Sequence, residues 1–298
     1  MIIFNSQSLL RILSIALLVA SVHGCSSLGI PIPVRTSTSP EAQALLTETQ
    51  NAHGKEAFSK INDIAVSYDG VWPFLITKIQ PKITDPQFRK TSQDRMLLRE
   101  GAVVQFYQGT GGGKFVWREN DKQPVKVSVT YNGKLDTDIA MRDASYLVLE
   151  AYQLFLMPAF HVQRAAWLEL GKTEYIDNAP YETLIAVMRP GFGNAVEDRT
   201  MLYIDPKTKL VKRVRLTLEG TATTKGAFVE TTYLAYKTME GVVWPTQFYE
   251  ALVSPFPGLP AHDFWLTGLD INRGLTSADF EGAKYSVRAA VPAKALPK

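Results

Sequence analysis

Apolar and polar residues alternate along much of the chain, with the period of two that places successive side chains on opposite faces of a strand. The alternation is clear at Ile64, Val66 and Tyr68, and again over 125–131 before Asn132-Gly133, a pair typical of hairpin turns. Later segments repeat it at 183–188, 200–204, 211–218, 228–236, 242–250 and 264–272. The pattern predicts a meander of antiparallel strands.

Two segments follow the helical period instead. The first begins at Ser39-Pro40-Glu41, which supplies an N-cap, a proline suited to the first turn and a carboxylate beside it, and it ends near His53-Gly54. The second covers 143–157, and its apolar residues occupy most of the helix circumference before Pro158. A helix that is apolar on nearly every side is buried on several sides or lies over an apolar cavity.

Many short strands with only two substantial helices predict an α+β fold. We expect one curled antiparallel sheet, a half-open β-barrel, with the helices covering its concave face. The glycine-rich segment 108–113 joins two of the alternating runs, so it predicts a hairpin loop. Its spacing does not fit a phosphate-binding loop, because Phe115 stands where a serine or threonine would hold magnesium.

The N-terminus has the order of an export signal. Arg11 precedes an apolar run over 12–22 that is too short for a membrane-spanning helix of about 20 residues, and Cys25 follows this run. The residues Val22-His23-Gly24-Cys25 resemble a bacterial lipobox. That resemblance implies that Cys25 becomes the lipid-bearing first residue of the mature chain. The other interpretation is an ordinary signal peptide with Cys25 left as a free thiol.

Cys25 is the only cysteine in the chain, so no disulfide can form within it. An exported chain with one unpaired cysteine needs another use for the thiol, and lipidation supplies one. The uncharged Ser26 that follows resembles the residue found in lipoproteins retained at the outer membrane. We therefore expect a cell-envelope protein that is anchored through Cys25, at the outer membrane and facing the periplasm.

These patterns divide the chain into four parts. Residues 1–24 are the predicted signal peptide, and residues 25–38, with two prolines and no periodic pattern, are a predicted flexible tether. Residues 39–290 form a single predicted domain. Residues 291–298 are a basic tail that we expect to be disordered.

Composition restricts the partners. The formal net charge is +3 and the chain has no block of like charge, so we do not expect a nucleic-acid partner. Phe, Trp and Tyr together make up 10% of the residues. Aromatic residues favour strands, and Tyr and Trp suit surfaces that are apolar but touch water.

Four short segments carry a resemblance to a known architecture. They are Asn51-Ala52-His53-Gly54, Leu202-Tyr203-Ile204-Asp205-Pro206, the stretch 236–248 with Gly241-Val242-Val243-Trp244-Pro245-Thr246, and Leu269-Asp270-Ile271-Asn272. Together they resemble the LolA/LolB lipoprotein-carrier fold of outer-membrane lipoprotein-sorting proteins, over most of 40–280. The resemblance implies an unclosed β-barrel with helices on its concave side, and a lipid or a lipoprotein acyl chain as the ligand.

The expected function is that of a membrane-anchored envelope lipoprotein that binds a hydrophobic small molecule, a lipid or a lipoprotein acyl chain, with a role in lipid or lipoprotein trafficking. Aromatic side chains of the second helix and of later segments are the candidates for lining such a cavity: Tyr152, Phe155, Trp167, Phe192 and Trp244. For each of them the alternative is an ordinary position in the core.

No arrangement in the sequence indicates catalysis, a metal or a cofactor. The chain has no Gly-x-Ser-x-Gly elbow and no pair of histidines at metal-ligand spacing. His262-Asp263, next to a proline-rich loop, is the best candidate for an oriented imidazole, and it leaves an exported hydrolase as one alternative. A scaffold lipoprotein that binds another envelope component through a sheet edge is the other.

Overall fold

Fourteen antiparallel strands form the framework of the protein. The structure is a computed structural model that describes residues 29–280. The strands are β1 (Asp63–Val71), β2 (Thr91–Leu97), β3 (Ala102–Gly109), β4 (Gly112–Arg118), β5 (Val127–Tyr131), β6 (Lys134–Leu135), β7 (Trp167–Leu170), β8 (Glu174–Ile176), β9 (Ala179–Met188), β10 (Asp198–Ile204), β11 (Val211–Thr217), β12 (Phe228–Met239), β13 (Val242–Ser254) and β14 (Pro260–Ile271).

Two meanders meet in the middle of this sheet. The strand order is β6-β5-β4-β3-β2-β1-β14-β13-β12-β11-β10-β9-β7, and β8 pairs with β9. The first and last strands of the fold therefore pair with each other, with Val66 of β1 opposite Leu269 of β14. The ends of the order, β6 and β7, do not pair, so the sheet is not closed. This confirms the predicted α+β class with one curled antiparallel sheet.

The helices are α1 (Pro40–Ala52), α2 (Lys55–Phe58), α3 (Phe74–Ile79), α4 (Pro81–Thr84), α5 (Ile139–Leu156) and α6 (Pro158–His161), with 3₁₀ turns at Val162–Arg164 and Ser277–Asp279. The longest of them, α5, contacts β4 and β5 of the first meander and β13 of the second. It therefore lies across the concave face of the sheet. Within residues 29–280, no helix combines the length and the hydropathy that crossing a bilayer requires.

The predicted helices form for the reasons that the sequence indicates. Ser39 caps α1, because its hydroxyl oxygen accepts a hydrogen bond from the Ala42 N–H at 3.1 Å. The sequence places the start of α5 at residue 143, but the helix begins at Ile139. The reason is a second cap, since the Asp138 carboxylate accepts from the N–H groups of Ala140 and Met141.

The end of α1 is held to the sheet by His53, which is buried. The Val211 N–H donates to His53 Nε2 at 3.2 Å, so the ring proton is on Nδ1, and it donates to the Val243 carbonyl at 3.0 Å. Burial lowers the pKa of His53, which keeps the ring neutral and able to accept. His53 is therefore a structural link between α1, β11 and β13.

An aromatic cluster joins α5 to the sheet. Phe248 of β13 and Phe264 of β14 stack with ring centroids 4.5 Å apart, and Tyr152 of α5 stacks on Phe264 at 5.3 Å. Tyr68 of β1 meets the Tyr152 ring edge-on at 5.3 Å. Offset and edge-on aromatic pairs are stabilising beyond their buried area, so these rings fix the position of the helix on the sheet.

Residues 29–38, in the segment for which the sequence predicts a tether, are mostly exposed but contact the domain at Ile30, Arg35 and Thr38. Ile30 is buried and packs with Ile185 and Met201 on the outer face of the sheet. Its carbonyl accepts a hydrogen bond from Arg199 Nη1 at 2.6 Å. The predicted signal peptide, Cys25 and the predicted tail over 291–298 are outside the described residues.

A buried ion pair anchors the middle of α5. Arg118 Nη1 of β4 and Glu150 Oε1 of α5 are 2.6 Å apart, and both side chains are at least 95% buried. Arg118 also donates to the Gly101 carbonyl and to Gln153 Oε1, and Arg164 contacts Glu150 from the other side. Every charge in this network has a partner, which is the condition under which a buried ion pair is tolerated.

We expect Glu150→Ala to lower the free energy of unfolding by about 3 kcal/mol, because it leaves the buried Arg118 guanidinium without its carboxylate. Urea unfolding followed by circular dichroism measures this change. Glu56→Ala is the matched control, since Glu56 also pairs with a cation but at an exposed site on α2. A Glu150→Ala variant as stable as the control would show that the pair does not hold α5 in place.

Candidate ligand-binding cavity

A cavity of about 440 Å³ lies between α5 and the concave face of β12–β14. This volume is within the range of about 300–1,000 Å³ that is typical of small-molecule sites. Its walls are mainly apolar, and they include Ile76, Ile83, Val148, Phe155, Val229 and Leu252. The concave face is thus not completely filled by its own side chains.

Small residues on facing elements leave this space open. Ala151 of α5 and Ala261 of β14 both line the cavity, and neither carries a side chain long enough to reach across it. The short helices α3 and α4 close one side, with Ile76 and Ile83 pointing inward. The cavity is therefore the part of the concave face that α5 spans without filling.

The cavity opens at an apolar rim, which we define as Val71, Phe74, Leu75, Ile79 and Phe256. These five side chains are exposed, Phe74 by 75% and Phe256 by 54%. Ile79 and Phe256 also line the cavity, so the rim continues its walls to the surface. Gln80 Nε2 donates to the Thr223 carbonyl at 2.8 Å, which ties the end of α3 to the loop before β12.

The inner part of the cavity contains polar groups. Arg89, which precedes β2, is 4% exposed, and its Nη1 donates to the Ile83 carbonyl. Its Nη2 donates to the Tyr152 hydroxyl at 3.2 Å. Glu250 of β13 lines the same cavity. Glu250 lies two positions after Phe248 and two before Leu252, which both face inward. Alternate residues of a strand share a face, so Glu250 faces inward as well.

Burial dominates the electrostatics of Glu250. Removal from water raises the pKa of its carboxyl to about 7, and the positive charge of Arg89 opposes part of this increase. Among residues 29–280 no hydrogen-bond donor reaches the carboxyl and no cation forms an ion pair with it. Near neutral pH, Glu250 is therefore divided between its protonated and its ionised form.

His262, the candidate for the hydrolase alternative, has a structural environment. Its ring stacks between Trp72 and Phe264, with centroid distances of 3.6 and 4.4 Å. Its Nδ1 is 3.4 Å from the Tyr152 hydroxyl, and burial lowers its pKa well below the ordinary range. In the described part of the chain, no group of three or more His, Cys, Asp or Glu residues is placed to hold a metal.

Of the five aromatic residues predicted to line a cavity, Tyr152 and Phe155 line this one. The others lie elsewhere. Trp167 is on β7 under the Arg189 guanidinium, and Phe192 stacks with His161. Trp244 is buried on β13 near Phe58, where its Nε1 donates to the Met239 carbonyl. All five are buried, so aromatic character alone does not tell a cavity wall from a filled core.

Sequence reasoning missed Arg89 and Glu250, the two charged residues in the inner part of the cavity. Glu250 could have been found, because the strand alternation places this carboxylate at an inward position, where an unpaired charge is costly. Arg89 could not, since it lies in a non-periodic segment and reaches the cavity only through tertiary packing.

No protein-family model matches the sequence, and no curated protein matches it. Similar solved structures include a DUF1329 family protein from Desulfovibrio piger, with 12% identity, a TM-score of 0.49, and coverage of 83% of this chain and 98% of that one. A LolA superfamily protein from Nitrosomonas europaea has 10% identity, a TM-score of 0.49, and coverage of 80% and 97%. A candidate outer membrane lipoprotein-sorting protein domain from Vibrio parahaemolyticus has 11% identity, a TM-score of 0.47, and coverage of 80% and 97%. The likeness is to their fold, and a fold alone does not establish a function.

We expect Glu250→Gln to change how stability depends on pH. The folded protein holds the Glu250 proton up to a pKa of about 7, whereas an ordinary glutamate releases it near 4.5, so this group makes the wild type less stable as pH rises through that window. Above it, the variant should be more stable than wild type by roughly 2 kcal/mol, and the difference should vanish below about pH 4.5.

Thermal and urea unfolding from about pH 4 to 8 measures this difference. Glu100→Gln, at an exposed position in the β2–β3 turn, removes the same charge and should follow the wild-type curve. Parallel curves for wild type and Glu250→Gln would contradict a desolvated carboxyl at this position.

Proposed function

We propose that the protein is a lipid-anchored envelope protein that binds one acyl chain of a lipid, a fatty acid or a lipoprotein in the cavity beneath α5. The single observation that supports this proposal most strongly is the cavity itself, an apolar space of about 440 Å³ that opens at an exposed apolar rim. A long, flexible, apolar guest fits such a space, because it covers wall residues that would otherwise face water.

The energy available from the cavity is sufficient for useful affinity. Each buried methylene contributes about 0.8 kcal/mol, so roughly ten methylenes contribute on the order of 8 kcal/mol before the ordering of the chain is subtracted. If all of this energy were net binding energy, the Kd would be about 1 μM. The ordering cost reduces the net energy, so the Kd of a single acyl chain is higher than about 1 μM. Binding of this strength is reversible, which suits transfer of lipids.

The anchor and the mouth of the cavity lie at the same end of the domain in this proposal. Gly29 lies against the ring of Phe228, at about 3.6 Å from the position of a Cβ atom, and Phe228 pairs with Ser254 next to the rim. Cys25 is four residues before Gly29, a separation of at most about 14 Å along the chain. A lipid on Cys25 would therefore keep the rim close to the membrane that carries it.

The rim supports the same orientation. Exposed clusters of large apolar side chains are typical of interaction sites, and Phe74 and Leu75 project from α3 beside the mouth. Lys78 and Lys225 lie among these residues, and cations there favour a membrane with anionic lipids. We propose that the rim inserts into the membrane interface, so that an acyl chain passes between membrane and cavity without crossing water.

Filling the cavity should abolish uptake of an acyl chain. We expect Ala151→Trp to weaken binding of a C16 fatty acid at least about tenfold, because the indole occupies the space of two or more methylenes. Native mass spectrometry and fluorescence displacement of a bound fatty-acid probe measure the loss. Both measurements use the mature chain from residue 25 with Cys25→Ser. This variant carries no lipid, so it can be purified without detergent.

Ala140→Trp is the matched control, because Ala140 is exposed on the first turn of the same helix. It should bind as the wild type does. Equal binding by both variants would place the acyl chain outside the cavity, and a wild type that takes up no acyl chain would favour the scaffold alternative.

The orientation of the rim has its own test. Because the anchor occupies the single native cysteine, Phe74→Cys and Lys207→Cys each provide one thiol for an environment-sensitive fluorophore. Lys207 lies in the exposed β10–β11 turn at the other end of the strands. With the lipidated protein in anionic vesicles, we expect a blue shift at position 74 and none at 207. Equal, water-like emission at both positions would contradict insertion of the rim.

A further inference from the structure

The inner part of the cavity carries two opposite charges that do not touch. Arg89 and Glu250 both line it, yet no ion pair joins them, since no nitrogen–oxygen distance between them is within 4.0 Å. Glu250 has no hydrogen-bond partner among residues 29–280. The Nε of Arg89 is enclosed and has no hydrogen-bond partner either.

The hydrogen bonds of Arg89 leave its charge without an ion-pair partner among the described residues. Its two terminal nitrogens donate to the Ile83 carbonyl and the Tyr152 hydroxyl, which are both neutral acceptors. The nearby Asp85 carboxylate pairs with Lys114, and burial raises the pKa of the Asp94 carboxyl near Arg89 to about 7. The guanidinium carbon lies 4.8 Å from the Trp72 ring centroid and 5.0 Å from that of Tyr107. Aromatic rings stabilise a cation only in part, so a buried guanidinium with these neighbours still favours an anion.

The surroundings make this a rigid site. The His262 ring stacks on Trp72 at 3.6 Å, and its Nδ1 contacts the Tyr152 hydroxyl at 3.4 Å. Tyr152 in turn is packed against Tyr68 and Phe264. A binding group whose rotamer is fixed by packing loses little entropy when a ligand arrives, which increases the affinity that each hydrogen bond provides.

We propose that Arg89 and Glu250 form a headgroup subsite for the carboxylate of a single-chain fatty acid, which binds with its head inward and its tail toward the rim. This inference rests on the proposed acyl-chain function and specifies its ligand class. The carboxylate accepts hydrogen bonds from the N–H groups of Arg89, and protonated Glu250 donates a further one. The apolar walls from Phe155 to Leu252 then cover the tail.

The two charges select a carboxylate over other headgroups. A neutral alcohol or ester leaves the charge of Arg89 uncompensated, and hydrogen bonds to charged groups are worth about 1.5–3 kcal/mol. A phosphate with two charges is disfavoured, because Glu250 would have to stay protonated beside it and no second cation lines the inner part of the cavity within residues 29–280. One carboxylate balances one guanidinium.

The subsite makes binding depend on pH. The groups that face Glu250 are Arg89, Tyr152 on α5 and His262 on β14, with Thr231 as its neutral neighbour on β12 and Lys225 farther out toward the rim. Burial keeps His262 and Tyr152 neutral near pH 7, because it lowers the pKa of the first and raises that of the second. Ionisation of Glu250 on raising the pH then repels the bound carboxylate.

The test compares palmitate with hexadecanol, which has the same chain length and no charge. Calorimetric titration uses the mature chain from residue 25 with Cys25→Ser. Wild type should bind palmitate at least about tenfold more tightly than hexadecanol at pH 6. Arg89→Gln should remove this preference by weakening palmitate alone. Arg142→Gln is the control, because Arg142 is an exposed arginine on α5, and it should keep the preference.

A second variant covers the case in which Arg89→Gln does not fold, since Arg89 also holds Ile83 and Tyr152. Glu250→Gln leaves those hydrogen bonds intact. Between pH 6 and pH 8 the affinity of wild type for palmitate should fall by about tenfold, and Glu250→Gln should remove most of this decrease, the rest coming from ionisation of Asp94 near Arg89. Hexadecanol should show no pH dependence with either protein.

Each outcome decides one claim. Equal affinity of wild type for the two ligands, or an equal loss of both in Arg89→Gln, would overturn the headgroup subsite and leave the acyl-chain function standing. A pH dependence that is as large in Glu250→Gln as in wild type would overturn the role of Glu250. Binding of neither ligand would overturn the proposed function and the subsite together.

Discussion

The concave face of a single open sheet has to be covered, and in this protein α5 is the longest helix that lies across it. α5 lies across strands of both meanders and is apolar along most of its surface, so burying it stabilises the helix and the sheet together. The Arg118–Glu150 pair and the aromatic cluster around Tyr152 fix it at separate points along its length. Between these points a space remains that the side chains of the helix and the sheet do not fill.

That space sets the relation between stability and function. A filled core would be more stable, since every apolar wall atom without a neighbour loses dispersion contacts. The chain instead places Ala151 and Ala261 at the walls and a carboxyl and a guanidinium inside. Both choices cost stability in the empty protein, and under the proposed function both would become favourable when an amphiphile with an acidic head occupies the cavity. Violations of packing rules of this kind are expected at functional sites.

The period of two and the caps at Ser39 and Pro40 were sufficient to predict the sheet, its antiparallel order and α1, because strand alternation and capping are local properties. The short helices α3 and α4 were not predicted, since six and four residues without a side-chain cap carry little local signal. For the site, the apolar circumference of α5 was compatible with burial on several sides or with a cavity beneath it, and did not distinguish the two. Which aromatic residues line that cavity depends on long-range packing, and so does the position of Arg89, which no periodicity marks.

The central claim is that an acyl chain occupies the space between α5 and β12–β14. A crystal structure of the protein with a fatty acid brominated at its terminal carbon tests this most directly, because anomalous scattering locates the bromine without reference to the protein model. The account predicts one bromine peak per molecule inside the cavity, near Ile79 and Leu252. Peaks confined to the outer surface, or no peak at saturating ligand, would contradict it.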